Sequence, residues 1–257
     1  MTFREALDWA RPGGVGTIDP SWFQGRGAFG GLVAALFLRA MGHATDRPAR
    51  TLTVHFCGPA AGELTLETQV ERAGRSVVHQ SGRLVGPDGP VALALATFAE
   101  GRDSAVALDA DPVATLPAWP AGIALPDAPF IPVFARKHFE FRFALGEPLF
   151  SGAARAATGG WVKFRDEAPA EAASDAALLD AWPPGVFPVL RGPVTASTVD
   201  FTVQFFEAVP GRDVNAPHIF LKTVTQAARG YAEERGTLWT AEGRPVGRIR
   251  QLFAVFG

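Results

Sequence analysis

The sequence of 257 residues holds a single cysteine, Cys57. One thiol excludes an intrachain disulfide and any thiolate-rich metal site, and it agrees with a reducing compartment. No run of five like charges occurs, and the formal charge is −2 with a sequence pI near 6.2. A nucleic-acid backbone therefore finds no electrostatic partner here. Long apolar runs are missing too: "GGLVAALFLRAM", from Gly30 to Met41, falls short of the roughly 20 residues that cross a membrane. The first residues, "MTFREALDWARPGG", carry charge where a signal peptide needs an unbroken apolar core. Neither a membrane span nor secretion is expected, and the cytoplasm is the expected location. A G-x-S-x-G elbow, a P-loop and a Rossmann fingerprint are also lacking; "GRGAFGG" has the glycines without a preceding strand. His55, His79 and His138 stand on or at the start of expected strands without metal-ligand spacing, so no metal and no cofactor are expected.

What the chain has instead is 47% hydrophobic residues, enough for a sizeable core, and an internal echo. "TLTVHFCGPA" (Thr51 to Ala60) returns as "TVDFTVQFFEA" (Thr198 to Ala208). Placing His55 on Gln204, 149 positions apart, puts Leu52, Val54 and Phe56 on Phe201, Val203 and Phe205, which preserves the apolar parity of a strand. Downstream, "RAGRSVVHQSGRLVGPDGPV" matches "QAARGYAEERGTLWTAEGRPV", each a strand, a Gly-containing turn and a return strand. Closing strands "ALALATFAE" and "GRIRQLFAVF" follow, with Phe98 and Phe253.

A helix precedes each copy. Gly30 and Gly31 lead into "LVAALFLRA", apolar round most of its circumference, as a helix wrapped by other structure should be. Ser174 and Asp175 are N-cap candidates before "AALLDAW", and Pro183 with Pro184 stops that helix. The expected organisation is a first half over 1–101, a Pro- and Ala-rich ordered connector over 102–135, and a second half over 136–257. The expected class is α+β, each half an antiparallel sheet curled round a central helix.

With repeat, helices and strands in place, the chain resembles the acyl-CoA thioesterase II type of double-hotdog protein over essentially its whole length. "RGAFGG" (Arg26 to Gly31) is similar to that family's lead-in to the first helix, and "LTVHFCGPA" to its first long strand. The family carries catalytic Asp, Thr and Gln on a helix, the next strand and the last strand. The resemblance places them at Asp180, Thr198 and Gln251. It implies an acyl-CoA substrate and hydrolysis by direct attack of water.

Those residue types suit the chemistry. Attack by water needs a base, orienting groups and donors for the developing oxyanion. Asp180 sits among Ala, Leu and Trp, where burial raises a carboxyl pKa. Thr198 and Gln251 can each donate and accept. Gln251 shares its strand face with Ile249, Phe253 and Val255, whereas the matching position of the first copy is Ala96; the fold needs both copies, the chemistry polar residues in one. Asp200, sharing the Thr198 face by strict alternation, stands as a rival base. Free N–H groups at Gly30 and Gly31 suit a carbonyl or anion, and Arg229, with Arg75 on the matched strand, suits the phosphates of coenzyme A. Cys57 reads as a small buried side chain. Two alternatives stay open: a non-catalytic acyl-binding protein of the same fold, and a hotdog hydratase, which would want a histidine that neither helix has. Exposed strand edges lead us to expect a homo-oligomer.

Overall fold

The computed structural model describes residues 1–106, 108, 115–206 and 211–256. Part of the connector, and the last residues of the second echo, lie outside the described residues. In chain order the elements are α1 (Phe3–Ala6), β1 (Gly14–Thr17), β2 (Phe23–Gln24), β3 (Gly27–Ala28), α2 (Gly30–Gly42), β4 (Ala49–Phe56), β5 (Glu63–Ala73), β6 (Val77–Gly86) and β7 (Gly89–Ala99). Then come β8 (Ile123–Ala124), α3 (Val133–His138), β9 (Phe139–Gly146), β10 (Ala157–Phe164), α4 (Ala172–Ala181), β11 (Thr195–Phe205), β12 (His218–Ala228), β13 (Tyr231–Trp239) and β14 (Pro245–Phe256).

One twelve-stranded antiparallel sheet runs in the order β1-β5-β6-β7-β4-β11-β14-β13-β12-β10-β9-β8. The two halves join at the seam between β4 and β11, the two copies of the repeated strand. There Thr53 pairs with Thr202, 149 positions away, and their hydroxyls are hydrogen-bonded at 3.0 Å. The repeat separation and the pairing register coincide at this one pair, which marks a pseudo-two-fold axis. Leu52, Val54, Phe201 and Val203 all turn inward and are buried, as period-two alternation requires.

Inside the sheet, α2 packs against β4–β7 and α4 against β10, β11, β13 and β14, while the two helices pack on each other. Every residue of α2 from Leu32 to Leu38 is buried, because the sheet covers one side and α4 the other. This is the double-hotdog arrangement. Among the described residues no helix is long and apolar enough to cross a membrane.

Three local expectations are corrected. Helix α4 begins at Ala172 behind Glu171 rather than at Ser174 or Asp175. The Ser174 hydroxyl donates back to the Pro169 carbonyl, and Asp175 pairs with Arg212 at 2.5 Å, so neither side chain is free to cap. His138 closes α3 instead of opening a strand; it stacks on Trp22 with ring centroids 3.6 Å apart and bonds the Ser21 hydroxyl. Burial pushes its pKa down to about 4. Cys57 is exposed, because it continues the outward parity of Thr53 and His55.

Candidate active site

Asp180 stands one residue before the end of α4, whose C-terminal turn abuts the first turn of α2. The contact is close because α2 opens on two glycines. A methyl group at Gly30 would come within 2.8 Å of Asp180 Oδ2, and one at Gly31 within 3.0 Å of the Ala177 Cα. The Gly31 N–H donates to the Asp180 carboxylate, satisfying one of the donors that a helix N-terminus leaves without an intrahelical acceptor. Gly31 thus serves the carboxylate rather than standing free, and Gly30 lies directly against it.

From β14 the amide of Gln251 reaches the same carboxylate, its Nε2 donating to Asp180 Oδ1. Gln251 is 1% exposed, and its carbonyl oxygen accepts a 2.9 Å bond from Lys222 Nζ. An ammonium can only donate, so the amide oxygen must face Lys222 and the NH₂ must face Asp180. Gln251 therefore keeps its second N–H and, with Lys222 on one lone pair of its oxygen, the other lone pair. Lys222 and Glu234, on β12 and β13, lie 2.6 Å apart and fully buried. The sequence reading passed over both. A lysine within "HIFLKTV", inside an otherwise apolar stretch, is the one signal that could have found them.

Burial raises the Asp180 pKa from 3.8 to about 6, opposed first by the Lys222 charge, then by the Gln251 and Gly31 hydrogen bonds, with Glu234 adding to the rise. Such a value suits a proton acceptor near neutrality.

Thr198 reaches the site through a β-bulge. It pairs with Phe253, whereas Asp200 pairs with Leu252, and the register shifts between them. The extra residue, Val199, breaks alternation and re-aims the strand. Thr198 consequently shares the inward side of Phe253 and Gln251, while Asp200 turns to the outer face opposite His55. The rival base is thereby removed from the site. Arg229 lies in the β12–β13 turn with φ 52° and Arg75 in the β5–β6 turn, not on strands; neither lines the cavities beside Asp180.

Two cavities meet at Thr198. One, of about 200 Å³, is walled by Asp180, Trp182, Phe134, Phe150, Phe187 and Phe253. It shares Leu125, Phe130, Ile131, Leu149 and Phe150 with an apolar groove of about 410 Å³. The other, of about 280 Å³, is more polar and includes Arg26, Gly30, Cys57, Ser197 and Thr198. Arg26, the first residue of "RGAFGG", is a cation on the wall of this polar cavity.

Comparison with known proteins now has a geometry to rest on. The acyl-CoA thioesterase N-terminal domain family matches residues 18–99 and the acyl-CoA thioesterase C-terminal domain family matches 109–255. The chain belongs to the acyl-CoA thioesterase family. As a member it is a thioester hydrolase. A conserved hot dog protein of unknown function from Alicyclobacillus acidocaldarius superposes with TM-score 0.87 at 24% identity, covering 98% of each chain. A putative thioesterase II from Thermobifida fusca gives 0.83 at 23%, covering 100% of this chain and 98% of that one. An acyl-CoA thioesterase II from Mycobacterium marinum gives 0.77 at 20%, covering 99% and 98%. At these identities the neighbours establish the fold alone. Among curated protein sequences none matches the chain.

Proposed function

We propose that the protein hydrolyses acyl-CoA thioesters by direct attack of water, with Asp180 as general base and Thr198 and Gln251 orienting the water. The observation that carries this reading is a half-buried carboxylate with a raised pKa, held by the Gln251 amide on the wall of an apolar cavity that meets a polar one at Thr198. Water donates one proton toward Asp180 and accepts from the free N–H of Gln251, which leaves a lone pair for the carbonyl carbon. As the carbon–oxygen bond forms, the proton passes to Asp180. Negative charge collects on the former carbonyl oxygen, for which the Gly30 N–H at the start of α2, on the wall of the polar cavity, is a helix-terminal donor. Collapse breaks the carbon–sulfur bond, and Asp180 returns its proton to the departing thiolate.

The cavities suggest which arm goes where. The acyl chain suits the aromatic cavity and its continuation between the connector and β9; the pantetheine arm suits the polar cavity with Arg26. A cytoplasmic location and self-association across open sheet edges belong to the same reading.

Thiol release from acyl-CoA esters of increasing chain length tests it, run on the native protein and on Asp180→Asn. Loss of the base is expected to lower kcat by about 10²- to 10⁴-fold with the fold retained. Undiminished turnover in Asp180→Asn removes the proposed base, and binding of esters without turnover by the native chain favours the acyl-binding alternative.

A further inference from the structure

The Lys222–Glu234 ion pair has no part in the scheme just given, yet it is buried directly behind it. Taking two charges out of water is expensive, and a well-packed apolar pair of similar volume is commonly as stable or more so. The first half of this molecule demonstrates the cheaper solution. Ladder pairing places Gln251 beside Glu234, with Val224 opposite Glu234; it places Ala96 beside Gln80, with Val70 opposite Gln80. The residues two before Val70 and Val224 are Thr68 and Lys222. The same sheet and helix packing is therefore built with Thr68 and Gln80 in place of the charged pair.

What the pair touches is specific to the site. Lys222 Nζ donates to Gln251 Oε1 at 2.9 Å and to the Trp182 carbonyl at 3.2 Å, and Glu234 Oε2 accepts the Gly185 N–H at 2.7 Å. Trp182 and Gly185 bracket the two prolines that follow α4, and Asp180 lies just before them. We infer that Lys222 and Glu234 form a positioning pair for catalysis: they hold the Gln251 amide in the one orientation that donates to Asp180 and clamp the backbone leaving α4. This rests on the hydrolytic reading above. Without Lys222 only the charge on Asp180 selects the NH₂ side of the amide, and a protonated Asp180 could meet the carbonyl side instead. The groups acting on the Asp180 carboxylate are Lys222 from β12, Gln251 from β14, the Gly31 N–H from α2 and Glu234 from β13. Of these Lys222 opposes the burial effect most strongly, so its loss moves the carboxyl further toward the neutral form.

The test compares Lys222→Met, the double variant Lys222→Met/Glu234→Gln and Asp180→Asn with the native chain, measuring Tm, kcat, KM and the pH profile of kcat/KM. Lys222→Met alone strands a buried carboxylate and is expected to unfold at lower temperature. The double variant removes both charges, keeps side-chain volume and retains an acceptor for Gly185. It is expected to hold a native-like Tm while kcat falls about 10- to 100-fold, KM stays within about threefold, and the acid limb of the profile moves to higher pH. A double variant with native kcat and an unmoved acid limb, beside an inactive Asp180→Asn, overturns this inference and leaves the reading of Asp180 standing. Full activity in Asp180→Asn overturns both.

Discussion

Both halves of the sheet send a polar side chain to the C-terminal end of a central helix, but not the same one. In the first half Gln80 donates to the Met41 carbonyl near the end of α2 at 2.9 Å; in the second Lys222 donates to the Trp182 carbonyl just past α4. Each helix leaves carbonyls without intrahelical partners, and each sheet supplies a donor. A neutral amide meets that need. The charged donor of the second half does something more, because its remaining hydrogens are directed at Gln251 and Glu234. The contrast continues along the ladder: Ala96 occupies the place of Gln251. A duplicated architecture has thus kept its packing in both copies and concentrated its buried charge in one. The helices share the division of labour, since α2 lends a glycine N-terminus and α4 a carboxylate to a site between them.

Among exchanges that test this contrast, the largest effect is expected from writing the first half's residue into the second. Gln251→Ala removes the donor to Asp180 and to water, and kcat/KM is expected to fall about 10²- to 10³-fold, read in the thiol-release assay with Tm as a check on folding. Retained activity would mean that the amide is only a packing group, like its apolar counterpart. Next is Gly30→Ala at the start of α2. The added methyl meets the Asp180 carboxylate at 2.8 Å and the edges of Phe56 and Phe201 at 3.0 and 3.1 Å. Phe201 is fully buried, so the overpacking should cost about 1–3 kcal/mol of stability, while displacement of the carboxylate lowers kcat about 10- to 100-fold.

The asymmetry also has a pH signature. With the Asp180 pKa raised from 3.8 to about 6, the folded protein holds a proton between about pH 4 and 6 that the unfolded chain has released. This group's contribution to stability is therefore present below about pH 4 and is lost as pH rises through 6. Activity runs the other way: kcat/KM should climb with pH through an acid limb near 6, because only the carboxylate accepts a proton. Asp180→Asn should flatten the stability trend across that window, measured as Tm against pH. The smallest effect is expected in the first half. Gln80→Leu loses one bond to Met41 and an amide oxygen that has no partner, a net change within about 1 kcal/mol and no more than about twofold in kcat. A large loss of turnover there would break the division between the halves.

Much of this was legible beforehand for reasons that lie along the chain. Apolar parity in "TLTVHF" and "FTVQFF" survives the overlay of the two copies, and the all-round apolar "LVAALFLRA" needs something to surround it. The set Asp180, Thr198 and Gln251 comes instead from the family resemblance, and the structure joins Asp180 to Gln251 by a hydrogen bond and sets Thr198 on the wall of the same cavity as Asp180. Strict alternation misled where the chain departs from it: Val199 bulges and sends Asp200 outward. Cap preference misled at Ser174 and Asp175, whose partners Pro169 and Arg212 are not visible in a local window. Lys222 and Glu234 went unnoticed because each is an ordinary charged residue until its neighbours are known.

By itself the sequence determined the two-fold plan, the helices and the residue types available to the chemistry, since hydrophobic periodicity and repetition are properties of a linear string. Only tertiary structure decided which polar groups meet, which face of an amide is presented and which carboxyl is kept from water. Those outcomes depend on burial and on contacts between strands and helices far apart in the chain, and on register shifts as small as one bulged residue.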